Sequence, residues 1–152
     1  MLTRRDTLVG GLCAIAFPRI EAALAAQLSY ALSAREVAPG TYVLIGKREY
    51  FTMANGGDIV NVAFVDTQDG AVVIDTGSSK RYGQALRQLV ERTTGKDIVR
   101  VYNTHHHPDH FLGNQAFDPG VIASTEQVTK NIDAEGEMLA ENLYRLLGDW
   151  MR

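Results

Sequence analysis

The sequence predicts an α/β fold built on a mixed sheet, and three observations carry that reading. Short runs rich in β-branched residues fill the stretch from Gly40 to Ile74, two longer segments repeat apolar residues at helical spacing, and the strand after the first helix ends in a run of histidines. A chain of 152 residues with 45% hydrophobic and 22% charged residues has the balance of one globular domain, which excludes a disordered or fibrous chain. The formal charge of -3 and the pI of about 5.8 provide no basic field for phosphates, so a small-molecule substrate is the expected partner and nucleic acid is not.

Residues 1–25 read as an export signal rather than as part of the fold. Arg4 and Arg5 precede a short apolar run over residues 8–17, and Ala23-Leu24-Ala25 suits cleavage before Ala26. The run is too short to span a bilayer as a stable helix. The paired arginines point to the twin-arginine route, but Thr7 stands where that signal usually has Phe, so the ordinary secretory route stays open, as does an apolar N-terminal helix of the domain. Cys13, the only cysteine, lies inside this segment without a lipidation context, so neither a disulfide nor a stable membrane anchor is expected.

From Gly40 onward, strands are predicted at residues 41–45, 59–66 and 71–74. Asp69-Gly70 makes a tight turn between the last two, giving an antiparallel meander. Asn55-Gly56-Gly57 marks either a further turn or a mobile loop over residues 52–57. Ser78 or Ser79 caps a helix whose apolar face is Tyr82, Leu86, Leu89 and Val90, with Gly95 at its C-terminal end. A strand over residues 98–102 follows, then one at 121–123. A long helix starts near Thr125, with Val128, Ile132, Leu139, Leu143, Leu147 and Trp150 in its apolar pattern and Gly136 as a site for a kink. With no internal repeat or linker, residues 26–152 form one domain.

All four histidines lie within residues 105–110, where a strand leaves the sheet, and Asp109 is among them. Along an extended segment residues i and i+2 share a side, so His105 and His107 can converge on one ion while His106 points away. Pro108 keeps His107 out of the helical region. Asp109 and His110 follow at a bend and can face a second ion. Imidazole nitrogens with a carboxylate oxygen suit zinc, and iron or manganese would accept the same set.

Thr104-His105-His106-His107-Pro108-Asp109-His110 resembles the His-x-His-x-Asp-His signature of the metallo-β-lactamase superfamily, and Val72-Val73-Ile74-Asp75-Thr76-Gly77 resembles its upstream strand-Asp-x-Gly element. The resemblance implies a zinc hydrolase with His105 and His107 at a first metal site, Asp109 and His110 at a second, and Asp75 in the shell that supports them. Asp75 can also be read as a turn-forming residue before Gly77. The implied fold is the N-terminal half of an αβ/βα sandwich, a mixed sheet with helices on one face. Within the superfamily the chain is similar to the zinc metallohydrolases of the quinoprotein relay group, through Val101-Tyr102-Asn103-Thr104, the stretch from Phe111 to Phe117 and the tail from Asn142 to Met151. That similarity implies a periplasmic location and association with a quinoprotein dehydrogenase.

The family completes its sites with a later His, a bridging Asp and a last His, whereas no histidine follows His110 here. The expected activity is hydrolysis of a small ester, thioester or amide through a metal-bound hydroxide on a pair of zinc ions, with Asp109 as the catalytic carboxylate orienting the nucleophile. On this half-domain alone it should be weak or absent. The alternative is a metal-binding accessory protein without turnover. The exposed face of a half-sandwich would also favour a homodimer.

Overall fold

The structure, a computed structural model, describes residues 28–152. The export signal, its cleavage point before Ala26 and Cys13 lie outside those residues. Six strands form one mixed sheet whose spatial order is the chain order: β1 (Arg35–Ala38), β2 (Thr41–Leu44), β3 (Val62–Thr67), β4 (Gly70–Ile74), β5 (Ile98–Asn103) and β6 (Ile122–Ser124). The first four run antiparallel as a meander, and β4, β5 and β6 run parallel. The parallel pairing of β4 with β5 needs a crossover, which helix α1 (Lys80–Thr94) supplies. After β5 come the short helix α2 (Pro108–Phe111) and two 3-10 turns, and helix α3 (Glu126–Leu147) closes the fold with a 3-10 turn over Gly148–Met151.

Strand alternation sorts the apolar residues onto two faces. Tyr42, Phe64, Val73, Val101 and Ile122 are cross-strand neighbours in one row. Phe64, Val73 and Val101 of that row are buried against Tyr82, Leu86 and Val90 of α1. Each such side chain removed from water contributes roughly 1.5–3 kcal/mol. The adjacent row, Val43, Ala63, Ile74, Tyr102 and Ala123, looks out from the opposite face, where Tyr102 is 47% exposed. A second cluster joins Phe111 and Leu112, just after the histidines, to Leu143 and Leu147 of α3. Helix α1 therefore packs on one face of a mixed sheet, and α3 packs on the segment that follows the histidines.

Helix α1 begins and ends at the residues its sequence indicates. Ser79 accepts a hydrogen bond from the Tyr82 N–H at 3.1 Å, and Gly95 in the left-handed region donates to the Glu91 carbonyl at 2.9 Å. The 3-10 turn Leu112–Ala116 lies tight against α1 and the β4–α1 loop. A Cβ on Gly113 would stand 1.9 Å from the Thr76 carbonyl oxygen, so only glycine permits that approach.

The structure adds one strand to those expected and corrects two expectations. Strand β1 went unforeseen, because Arg35–Ala38 is exposed along its whole length and carries no inward-facing apolar pattern. The strand expected from Ile59 begins only at Val62: the Ile59 N–H turns back to the Gly57 carbonyl, and the Asp58 carbonyl accepts from Lys47 N. Trp150 is not on the long helix, which ends at Leu147. It lies in the following 3-10 turn, packs on Tyr30 at 4.6 Å between ring centroids and donates from Nε1 to the Met53 carbonyl. Helix α3 runs unbroken through Gly136. The segment at residues 52–57 is a turn, its buried Asn55 accepting from the N–H groups of Thr52 and Gly57 and donating to the Tyr50 carbonyl.

Candidate metal centre

The parallel strands β4 and β5 end side by side, and the residues that leave them form the site. Asp75 follows β4 with φ at +62°, a left-handed backbone that Asp adopts more readily than most residues because its short side chain bonds locally. Its N–H donates to the Tyr102 carbonyl of β5 at 2.8 Å, which fixes the turn. The carboxylate is 3% exposed and fully engaged. It accepts from Thr104 N at 2.8 Å, from Thr104 Oγ1 at 2.6 Å and from His110 Nδ1 at 2.9 Å. Three donors offset the cost of burying the charge, so Asp75 both turns the chain and ties Thr104 to His110.

That grip decides which nitrogen of His110 is available. With Nδ1–H given to Asp75, the neutral ring keeps its lone pair on Nε2. Nε2 lies 3.7 Å from Asp109 Oδ2. Two ligands on a tetrahedral zinc with bonds of about 2.0–2.1 Å stand roughly 3.3 Å apart, so this pair is close to ligand spacing without adjustment of the backbone. The hydrogen bond to Asp75 holds His110 above the ordinary histidine range, helped by the nearby Asp109 charge, while burial opposes it. His105 is pushed the other way by desolvation and by the neighbouring imidazoles, which favours the neutral form a metal requires.

Pro108 starts α2, and His107, which caps it with φ −68° and ψ 149°, lies with His106 at a bend between β5 and that helix. The rings of His105 and His107 meet edge to face at 4.2 Å, and those of His105 and His110 at 5.3 Å. His106 is directed toward α3, with Nδ1 3.4 Å from Asn131 Nδ2 and Nε2 4.0 Å from Glu135 Oε2. Among the described residues no group of three or more His, Cys, Asp or Glu side chains is arranged to hold a metal ion. The donors instead come as pairs, His105 with His107 and Asp109 with His110. The donor chemistry suits zinc, and each pair is short of the three protein ligands a catalytic zinc ordinarily has.

Sequence reasoning assigned no role to the neutral groups beneath the histidines. Thr76, Thr104, Asn103 and Asn114 surround Asp75 and the His110 backbone, and the His110 carbonyl alone receives Thr76 N at 2.9 Å and Asn103 Nδ2 at 3.1 Å. The available signal was position: polar residues at the end of an apolar strand, beside a ligand motif.

Residues 55–125 match the model of the metallo-beta-lactamase superfamily. The comparison with curated proteins gives no match. Among solved structures, a metallo-beta-lactamase from Pontibacter korlensis superposes with a TM-score of 0.56 at 21% identity, covering 69% of this chain and 48% of that one. The metallo-beta-lactamase FIM-1 from Pseudomonas aeruginosa, in its mono-zinc form, gives 0.59 at 18% identity over 71% of this chain and 48% of that one. One from Erythrobacter litoralis gives 0.57 at 19% identity, over 72% and 48%. The architecture is thus a partial metallo-beta-lactamase fold, and the chain spans about half the length of the structures it matches.

Proposed function

On the premise that residues 55–125 carry the metallo-beta-lactamase superfamily pattern, we propose that the chain is the N-terminal half of a zinc-dependent hydrolase acting on a small ester, thioester or amide. The observation that supports this best is the Asp75–His110–Asp109 line. A buried carboxylate takes His110 Nδ1 and leaves Nε2 3.7 Å from Asp109 Oδ2, at the spacing of two ligands on one ion. His105 and His107 would hold the first zinc, and Asp109 and His110 the second. Bound zinc supplies Lewis acidity, lowering the pKa of water to about 7 and polarising the scissile carbonyl. Asp109 orients the attacking water and receives its proton, Asp75 fixes the His110 ring, and Pro108 fixes the bend between the two pairs. The half-sites are completed by donors outside these residues, so turnover belongs to the completed site.

Metal content by mass spectrometry, with turnover of a panel of esters, thioesters and lactams, tests this reading. Zinc bound by the wild type and lost in His107→Ala and His110→Ala, but kept in His106→Ala, is the expected pattern. Equal loss in His106→Ala and His107→Ala would contradict the ligand assignment. The pairing of donors favours one other reading, a metal-binding accessory protein of a periplasmic quinoprotein system. Zinc binding without turnover in a completed protein would select it. Export is part of the same proposal: mass spectrometry of protein from the native host should find an N-terminus at Ala26, and intact Met1 protein confined to the cytoplasm would sink it.

A further inference from the structure

The network beneath the histidines contains a pair of side chains whose hydrogen-bonding capacity is committed to one purpose. Asn103, the last residue of β5, is 4% exposed, and Asn114 sits on the 3-10 turn that follows α2. Their carboxamides bond reciprocally, Asn114 Nδ2 to Asn103 Oδ1 at 2.7 Å and Asn103 Nδ2 to Asn114 Oδ1 at 3.2 Å. The second hydrogen of Asn103 Nδ2 goes to the His110 carbonyl at 3.1 Å, and the second lone pair of Asn114 Oδ1 takes Thr76 Oγ1 at 2.9 Å. Thr76 also meets that carbonyl, from its N–H at 2.9 Å and its Oγ1 at 3.3 Å.

This inventory admits one orientation. Turning the Asn103 amide over would bring its oxygen against the His110 carbonyl and Asn114 Oδ1 and its NH2 against the NH2 of Asn114, three repulsions in place of three bonds. We propose that the Asn103–Asn114 pair is a positioning device for His110: it clamps the His110 backbone carbonyl while Asp75 holds the ring. The ring is then held at Nδ1 by the carboxylate and at its own peptide by the carboxamides, which leaves Nε2 a single direction. Neither asparagine is a ligand. Both act through His110, so the inference rests on the zinc-site reading only for its functional consequence.

The test compares the wild type with Asn103→Asp, which keeps the shape but sets a carboxylate oxygen against the His110 carbonyl. Asn114→Ala serves as a second variant in case the first does not fold. Val90→Ala, in the core of α1 and remote from the site, is the control for lost stability alone. Three quantities are read: hydrogen exchange at the Thr76 amide, the nitrogen NMR signal of His110 Nδ1–H, and the affinity for zinc. We expect the asparagine variants to lose Thr76 protection, to broaden or shift the His110 signal, and to bind zinc about 10–100-fold more weakly, with Val90→Ala unchanged in all three. If the wild type binds no zinc but the first two effects appear, the hydrolase reading fails and the positioning role stands. Unchanged exchange and NMR signals in the variant that folds, or the same losses in Val90→Ala, would overturn the positioning role.

Discussion

Asp75 is the residue on which the site turns, because it binds a strand, a hydroxyl and an imidazole at once. Asp75→Asn keeps its shape but replaces one acceptor with a donor facing Thr104 or His110. Zinc affinity should fall roughly 10–100-fold in equilibrium dialysis, while the fold persists by circular dichroism. The proton balance at His110 gives a second prediction. Its raised pKa means that the metal-free protein holds that proton more tightly than the unfolded chain does. The pair with Asp75 therefore contributes stability that is full below the ordinary histidine pKa of about 6.5 and is lost as pH rises through the raised value. Zinc must displace this proton, so zinc affinity should keep increasing with pH above 6.5, and proton release on binding, read by calorimetry in buffers of different ionisation enthalpy, should follow the same course. In Asp75→Asn the rise should move to lower pH. The histidine cluster and its carboxylate stood out in the sequence because those residue types at this spacing carry chemistry. Asn103, Asn114 and Thr76 were not, because neutral side chains acquire a role only from the three-dimensional pairing they find.

The elements differ in how openly the sequence declares them. Helix α1 is marked by its cap, its glycine and its apolar face, and strands β3 and β4 by their β-branched runs around a turn. Strand β1 is held by pairing with β2 and has no apolar alternation to reveal it. Helix α3 was legible in its face, and it continues through Gly136. A Cβ there would meet Phe111 Cζ at 3.5 Å, an ordinary contact. Gly136→Ala should consequently stabilise the protein by about 0.5–1 kcal/mol, seen as a higher urea midpoint with an unchanged slope. Gly113→Ala should do the reverse. Its methyl would collide with the Thr76 carbonyl and push the turn that carries Asn114 off the β4–α1 loop, costing roughly 1–3 kcal/mol and lowering zinc affinity together with the unfolding midpoint.

At the scale of the whole molecule, the sheet has one face packed against α1 and one lined by Val43, Ala63, Ile74 and Tyr102. A protein extended by a second half that packs on this face and completes the ligand pairs should hydrolyse a generic ester or lactam far faster than the 152-residue chain loaded with zinc. Comparable rates in both, abolished by His107→Ala, would show that this half completes its own site. Val65→Lys, which places a charge on the open face, should reduce self-association in sedimentation experiments and leave the zinc affinity of the short chain unchanged.

The strand order carries a consequence for how the chain reaches this state. Every strand in the sheet pairs with its immediate predecessor in the chain. The meander from β1 to β4 closes only short loops apart from the one between β2 and β3, so its entropic cost is modest and it can form while later residues are still being synthesised. The parallel pairings of β5 and β6 need connections at least as long as that between β2 and β3, so loop closure alone predicts that they form after the tight β1–β2 and β3–β4 hairpins. The histidines sit at the end of β5, so the same reasoning predicts that they are brought together only once β5 has paired with β4.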